Sequence, residues 1–487
     1  MNFKLSFHVI GTFLKFFGLL LLIPAIVSLI CRDGDLYIFL LTASVTSISG
    51  FLIEIATKES QHINVMERKE AFFIALLCWV VACTVGAIPY FLIQLPVFSN
   101  PIDALFESIS GFTTTGATVI SDIEGLPHGI LFYRSFTQWL GGMGIIVLGI
   151  AILPKLSVGG VQLMGSESPG PIMEKITPKI AETAKKLWFV YIALSLLLIL
   201  LLFLSDMPIF DSVVTSFSTL STGGFSVKNS GIEGYGSPLI EAIITLFMFM
   251  GGINFLLHYY IFTGRFSKVI KNSELKFYAF LAILFILVVS IDLWHNHYPF
   301  YFEALRHSAF QVVSILTTTG FNSVDFDIWT EFSVFLLFSL MFIGACAGST
   351  SGSIKVLRIL ILIKKVFSRE INHLIKPRAV LPVRVNTKVI SEDVIASVTS
   401  FFLLYILIFV LSVLVILAVE DISIMGALSA CAATIGNVGP GFQELGATHN
   451  YQFLTGFSKI WLCLLMLLGR LEIFTVLVIF SPMFWRK

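Results

Sequence analysis

Threonine, serine and glycine recur in one short order four times along this chain, and that order suits one kind of chemistry. Ser110-Gly111-Phe112-Thr113-Thr114-Thr115-Gly116-Ala117-Thr118 is the clearest copy. Thr219-Leu220-Ser221-Thr222-Gly223-Gly224-Phe225 and Leu316-Thr317-Thr318-Thr319-Gly320-Phe321-Asn322 follow, and Ala433-Thr434-Ile435-Gly436-Asn437 is the most degraded. Aligned on Gly116, Gly223, Gly320 and Gly436, the copies stand 107, 97 and 116 residues apart. Turns of this composition can ring a narrow path with carbonyls and hydroxyls that replace the hydration shell of a passing cation. Glycine permits the dihedrals that aim consecutive carbonyls inward, with no side chain in the way. Such a ring carries no formal charge, so it holds ions weakly enough to release them. One copy alone is an ordinary loop; four at near-regular spacing imply re-entrant loops meeting around a shared axis.

The rest of the chain supplies the setting those turns require. Polar backbone at membrane depth survives only where protein buries it or it lines a water-filled path. Of the 487 residues, 56% are hydrophobic and 13% charged, with a mean hydropathy of +0.93, the composition of a polytopic membrane protein. The expected fold is all-α: two N-terminal transmembrane helices, then four pseudosymmetric helix–pore-loop–helix units around one ion pore. The apolar run from about Val9 to Ile30 is too long for a signal-peptide core and lacks a small-residue cleavage site, so it reads as a retained helix. The first two spans fall at 9–31 and 36–55, and the outer helices of the units at 70–93, 186–205, 276–294 and 392–419. Second helices are expected at 130–153, 238–262, 331–363 and 455–481, each near or above the ~20 residues a bilayer needs. Segments near 101–113, 208–220, 302–317 and 422–433 are half-helices, too short to span. The organisation is therefore 1–60 for the N-terminal helices and 61–180, 181–272, 273–385 and 386–487 for the four pore units.

Basic residues set the expected orientation. With the N-terminus in the cytoplasm, the inner segments hold Lys58, Arg68 and Lys69, then Lys155, Lys175, Lys179, Lys185 and Lys186. They also hold Arg265, Lys268, Lys271 and Lys276, and then Lys364, Lys365, Arg369, Lys376, Arg378, Arg384 and Lys388. The opposite side has little beyond Arg32, Arg134, Lys228 and Arg306, an asymmetry that places the Thr/Gly turns outside. The half-helices then enter from outside with their C-terminal ends, each worth about half a negative charge, aimed at the membrane centre. Four such ends favour a cation. A net charge of +1 indicates no nucleic-acid partner. The six cysteines form no CxxC pair and read as small buried residues. No metal-spaced His/Cys cluster, nucleophile elbow or acid–base carboxylate pair is present, which argues against a membrane enzyme; nor does any helix carry Arg or Lys at every third position, as a voltage sensor would.

The third unit differs from the others. Its second helix contains Gly344-Ala345-Cys346-Ala347-Gly348-Ser349-Thr350-Ser351-Gly352-Ser353, followed by Lys355 and Arg358. So many small and polar residues would unwind a helix in mid-membrane, where unwound backbone faces a cavity. Residues 344–353 therefore read as an intramembrane gate loop, with Gly344, Gly348, Ser349, Thr350, Ser351 and Gly352 as its working residues. A phosphate-binding reading fails, because the Gly-Lys-Ser/Thr order is missing. Arg470, beside Gly469 and Glu472, lies at membrane depth, where an ionisable residue is functional by default. Glu107 and Glu303 sit on half-helices as either cation attractors or solvated rim charges. The expected ion ligands are Thr114, Thr115, Gly116 and Ala117; Ser221, Thr222, Gly223 and Gly224; Thr318, Thr319, Gly320 and Phe321; and Thr434, Ile435, Gly436 and Asn437.

Across essentially its whole length the chain resembles the Trk/Ktr/HKT superfamily of potassium transporters. The four helix–pore–helix units, the turn Thr434-Ile435-Gly436-Asn437-Val438-Gly439-Pro440-Gly441 and the glycine-rich interruption of the third unit carry the resemblance. The two extra N-terminal helices favour the Trk branch over the shorter Ktr branch. The resemblance implies potassium selectivity from a glycine in each turn, a serine at the first position being the sodium-transporting variant. It implies a gate loop braced by a basic residue of the fourth unit's second helix, to which Arg470 corresponds. It further implies a homodimer in the bacterial cytoplasmic (inner) membrane, no covalent cofactor, and a TrkA-like cytosolic ring of regulatory subunits that binds NAD and ATP or ADP. That ring would dock on the basic segments around 155–185, 265–276 and 364–388. The membrane potential would drive uptake, at about 2.3 kcal/mol per charge per 100 mV. A gated channel and a symporter coupled to protons or sodium both remain open at this stage, as does a sodium-permeable member of the same family.

Overall fold

The structure, a computed structural model, describes residues 1–58, 68–144, 180–375, 381–386 and 388–486. Long runs of Leu, Ile, Val and Phe leave the backbone no partner in lipid but itself, and helix is the one open structure that satisfies it. Among the described residues six helices are long and apolar enough to cross a membrane: Phe3–Cys31, Leu36–Ala56, Lys69–Leu92, Ala184–Phe203, Ser273–Asn296 and Glu392–Val419. The first is interrupted after Leu20, where Pro24 offers no N–H to the preceding turn. The last five include all four outer helices expected from hydropathy.

Each outer helix leads into a half-helix: Pro101–Phe112, Ile209–Leu220, Tyr301–Leu316 and Ile424–Ile435. Their starts are locally encoded. Asn100 accepts from the Ile102 N–H ahead of a proline at the first helical position, and Ser423 accepts from the Gly426 N–H. In the first three units one serine fastens the half-helix to its own outer helix. Ser108 donates to the Cys83 carbonyl at 2.6 Å, Ser216 to that of Ser195 at 2.9 Å, and Ser308 to that of Ile286 at 2.7 Å.

In the second and fourth units the second helices differ from the continuous spans expected at 238–262 and 455–481. Pro238–Gly251 and Phe255–Phe262 meet at 103°, and Gly456–Arg470 and Ile473–Phe480 at 112°. In the third unit Glu331–Leu340 and Val356–Lys364 are separated by a long non-helical loop. In the first, His128–Gly142 ends short of the expected 153, and residues 145–153 lie outside the described set. Hydropathy registers an apolar stretch and not its direction. The turn in direction follows from close packing: a Cβ on Gly141 would lie 1.9 Å from the Phe112 carbonyl oxygen, and one on Gly469 2.1 Å from that of Ile435. These glycines press the second helices against the ends of the half-helices.

Polar side chains gather in the interior beside an apolar core, and large apolar side chains face outward. Ser108, Ser110, Ser218, Gln311, Ser314 and Ser429 are buried, whereas Leu29, Leu196, Phe280, Phe335 and Leu403 are exposed. A lipid-facing belt produces this arrangement, because a hydroxyl in hydrocarbon has no partner whereas a leucine there loses nothing. Five of the six cysteines are buried and all are free.

Candidate ion pathway

All four half-helices end in the same way. The N–H groups of Thr114, Thr222, Thr318 and Asn437 reach back to the carbonyls of Gly111, Thr219, Ile315 and Thr434 at 2.9–3.2 Å. Those of the next residues, Thr115, Gly223, Thr319 and Val438, reach the carbonyls of Ser110, Ser218, Ser314 and Ala433 at 2.7–2.9 Å. This is the paired bond of a Schellman cap, which ordinarily places glycine at its left-handed residue. Here that residue is Thr114, Thr222, Thr318 or Asn437, with φ of 54–58°. Left-handed dihedrals at β-branched residues cost on the order of 1–3 kcal/mol each and gather where function requires them.

Two residues beyond each cap stands a second left-handed residue, and all four are glycine: Gly116, Gly224, Gly320 and Gly439, with φ of 83°, 78°, 76° and 105°. They close a ring. A Cβ on Gly116 would lie 2.2 Å from the Gly223 carbonyl oxygen, and one on Gly224 1.9 Å from that of Thr319. One on Gly320 would lie 2.0 Å from the Val438 oxygen, and one on Gly439 2.5 Å from that of Thr115. Each unit thus touches the next, and the fourth returns to the first. The same four glycines line one depression at the mouth, together with Thr118, Asn322 and Asn450.

This ring corrects the alignment drawn from the sequence in two units. In the second, the equivalent of Gly116 is Gly224, and Gly223 occupies the position of Thr115. In the fourth, Thr434 and Ile435 belong to the half-helix, Gly436 with φ −83° stands at the position of Thr113 just before the left-handed Asn437, and Gly439 is the ring glycine. The first glycine in each motif is the natural guess, because a cap ordinarily takes glycine; here threonine and asparagine occupy the caps. Thr114, Thr115, Gly116, Ser221, Thr222, Thr318, Thr319, Gly320 and Asn437 all fall within the four turns, with Ala117 and Phe321 immediately beyond the ring glycines.

Behind the turns lies a charge pair that sequence reasoning did not place. Glu107 and Arg134 are buried, with 0% and 1% side-chain exposure, and paired at 2.9 Å. Glu107 also accepts from the Thr118 hydroxyl at 3.0 Å and the Val119 N–H at 3.2 Å. Arg134 reaches the second unit, donating to the Ser226 carbonyl at 3.3 Å and stacking 4.2 Å over Phe225. Glu107 is thus not a solvated rim charge but a buried carboxylate held by Arg134. Its signal in the sequence was Arg134 itself, an isolated basic residue in an apolar segment. Glu303, by contrast, is half-buried in the first turn of its half-helix. A second buried pair, Lys459 with Asp103 at 2.5 Å, joins the fourth unit to the first.

On the far side of the ring, residues 341–355 form a loop whose ends meet at a bridge between Ile343 and Ile354. The loop contacts the ends of three half-helices. Thr350 donates to the Leu220 carbonyl at 3.0 Å, and the Gly352 N–H to the Thr318 hydroxyl at 2.7 Å. A Cβ on Gly352 would lie 2.2 Å from the Gly436 carbonyl oxygen. Arg470 links it to the first unit, donating to the Thr350 carbonyl at 2.8 Å, the Gly142 carbonyl at 3.0 Å and the Gly141 carbonyl. Ser349 and Ser351 are 3.0 Å apart, and Gly344 closes the loop base on the Ile354 carbonyl at 2.9 Å. The Gly348 carbonyl accepts the Phe255 N–H at 3.0 Å. From the other side Glu274, buried at the start of the third outer helix, accepts the Ala347 N–H at 2.5 Å. Gly348, Ser349, Ser351, Gly352, Lys355 and Arg470 line a shared cavity. Among the described residues no three His, Cys, Asp or Glu side chains are grouped as metal ligands.

At the mouth, Asp327 joins the third and fourth units by accepting the Gln443 N–H at 3.2 Å. Burial raises its carboxyl from the ordinary 3.8 to about 6. A carboxyl raised on folding contributes stability that is complete below about pH 4 and is lost as pH climbs through 6. Asp327→Asn should therefore flatten the pH dependence of thermal stability between those values. An unchanged slope would show that Asp327 is not the titrating group.

Four helix–pore–helix units closed about one axis, with a polar loop seated against their converging ends, define a polytopic membrane protein of the pore-forming transport class. The family described as TrkH, cation transport protein, matches residues 39–487, and the chain belongs to this family. It is 40% identical over 493 residues to the Trk system potassium uptake protein TrkH of Escherichia coli K12, covering 100% of both chains. It is 39% identical over 492 residues to that of Salmonella typhimurium, again covering 100% of both. The Trk system potassium uptake protein TrkG of E. coli K12 is 36% identical over 483 residues, 99% of this chain and 98% of that one. The crystal structure of the potassium transporter TrkH from Vibrio parahaemolyticus superposes with a TM-score of 0.88 at 38% identity over the whole of both chains. The relatives are named as transporters, and this chain is a transport protein and not an enzyme.

Proposed function

We propose that this protein carries potassium inward across the bacterial cytoplasmic membrane through the ring of turns at 113–117, 221–225, 317–321 and 436–440. The observation that carries the reading is the closed ring of glycine-to-carbonyl contacts from Gly116 through Gly224 and Gly320 to Gly439. It lies beside four half-helix C-termini, each worth about half a negative charge. Oxygen atoms from Thr114, Thr115, Thr222, Gly223, Thr318, Thr319, Asn437 and Val438 would hold the ion. The names of the relatives support potassium as the cargo. Rubidium uptake into proteoliposomes at a clamped potential, with potassium and sodium as competitors, tests it. Block by potassium but not by sodium is the expected result, and absence of flux in inserted protein would overturn the reading. Uptake that collapses without a proton or sodium gradient would make the pathway a symporter's.

The loop at 344–353 is the gate in this reading, and Arg470 its brace. Hydrogen bonds to a charged donor contribute about 1.5–3 kcal/mol each, and Arg470→Ala removes them from Thr350, Gly141 and Gly142 together. Resting rubidium flux should then rise about tenfold or more, the factor one such bond represents. Unchanged flux in inserted protein would show that Arg470 braces nothing relevant to gating.

The family resemblance supports a homodimer, with the N-terminus in the cytoplasm, regulated by a cytosolic ring that binds NAD and ATP or ADP. Of the basic segments proposed to meet that ring, 265–276 leaves Arg265, Lys268, Lys271 and Lys276 exposed. Lys364 and Arg369 are already engaged with the Arg384 carbonyl and Glu392. Most of 155–185 and residues 376–380 lie outside the described set.

A further inference from the structure

The residue after each left-handed cap differs among the units in a way that points outside the turns. In the first and third units it is a threonine whose hydroxyl bonds to the threonine two residues earlier. Thr115 pairs with Thr113 at 2.7 Å, and Thr319 with Thr317 at 2.8 Å. In the second unit this residue is Gly223, and its φ is not left-handed. Its backbone therefore does not require glycine. What excludes a side chain is Gln138, from the second helix of the first unit: a Cβ on Gly223 would lie 2.4 Å from the Gln138 amide carbon.

Gln138 is fully buried and holds the strand at two points. Its amide nitrogen donates to the Gly223 carbonyl at 2.6 Å, and its amide oxygen accepts the Phe225 N–H at 3.1 Å. Only one orientation of the amide makes both bonds, because the carbonyl can only accept and the N–H can only donate. The two contacts straddle the ring residue Gly224. The Gly223 oxygen is itself the ring contact of Gly116.

We infer that Gln138 is a positioning residue that sets ion preference from behind the ring: its amide replaces the missing threonine side chain at Gly223 and fixes where that carbonyl stands. The inference rests on the proposed filter. It also accounts for Gly223, which the family's single-glycine pattern does not require. Buried donors and acceptors stripped of partners are costly, so the strand will move when the amide is lost. A ring tuned by oxygen placement then discriminates less well.

The test is the ratio of potassium to sodium inhibition of rubidium uptake in proteoliposomes, per inserted protein, for four variants. Gln138→Leu keeps the bulk and removes both bonds; the ratio should fall about tenfold, the factor corresponding to one hydrogen bond. Gly223→Thr alone should abolish flux by collision with Gln138. Gln138→Ala combined with Gly223→Thr vacates the space and supplies a hydroxyl near Ser221, as in the first and third units, and should restore flux and most of the ratio. Gly116→Ser reports on the filter itself. A purely structural role for Gln138 would lower insertion and rate for all ions and leave the ratio intact. If Gly116→Ser shifts the ratio and Gln138→Leu does not, the inference is wrong and the filter stands. If neither shifts it, both fall. A double variant no better than Gly223→Thr alone would also overturn the inference.

Discussion

In Gly116→Ser, potassium's advantage over sodium should fall at least about tenfold, while the same substitution at Gly34 changes nothing. Two effects combine at Gly116. Its φ of 83° costs a side-chain-bearing residue about 1–2 kcal/mol, and 1.4 kcal/mol is a factor of ten. The added Cβ would also lie 2.2 Å from the Gly223 carbonyl oxygen, far inside contact distance. That oxygen is backbone and cannot swing aside, so the ring must open. Potassium, which exchanges its hydration shell for closely placed oxygens, loses more than an ion that keeps some of its water. At Gly34 no atom lies within 4 Å of the point where a Cβ would stand. Competition of potassium and sodium against rubidium reads the difference directly. An unchanged ratio in inserted Gly116→Ser protein would remove the ring from the ion path.

Glu107→Ala should be the most destabilising single substitution behind the glycine ring, at about 3–5 kcal/mol, because it leaves a buried cation without its partner. Arg134 has only 1% side-chain exposure. Its loss of Glu107 also frees the Thr118 hydroxyl and the Val119 N–H. Replacing both members, as Glu107→Leu with Arg134→Met, should destabilise far less, because no charge is then stranded. Thermal unfolding in detergent, followed by loss of the monodisperse peak, compares the two. A double variant as unstable as Glu107→Ala would mean that the pair contributes mainly through its bonds to Thr118, Val119 and Ser226 and not through charge compensation.

Both predictions rest on contacts between segments distant in the chain, and that is where the sequence ceased to be a guide. The half-helices at 101–113, 208–220 and 302–317 were legible almost to the residue, and the fourth, expected at 422–433, ends two residues later at Ile435. Their signals are local: a proline, serine or asparagine start, a short apolar run and a polar turn. The outer helices were legible for the same reason, since about 20 apolar residues in lipid have only one open structure. The interruption in the third unit was also readable, because Gly344 through Ser353 contain too many small polar residues to remain a helix against lipid.

The register of the second and fourth turns was decided by tertiary structure. Gly223 and Gly436 present the expected letter, but the left-handed dihedrals fall on Thr222 and Asn437 and then on Gly224 and Gly439. No local preference favours threonine or asparagine over an adjacent glycine at such a cap. The four-way closure, in which each glycine meets a carbonyl of the next unit, imposes it. The breaks in the second helices arose likewise from packing against half-helix ends. The Glu107–Arg134 pair and the reach of Gln138 to Gly223 join residues 27 and 85 apart in the chain. Hydropathy and turn chemistry act over a few neighbouring residues, so the sequence alone determined where the outer helices span, where the half-helices re-enter and where the third unit unwinds. Which oxygen faces which glycine depends on four segments about a hundred residues apart meeting on one axis, and only the folded chain brings them there.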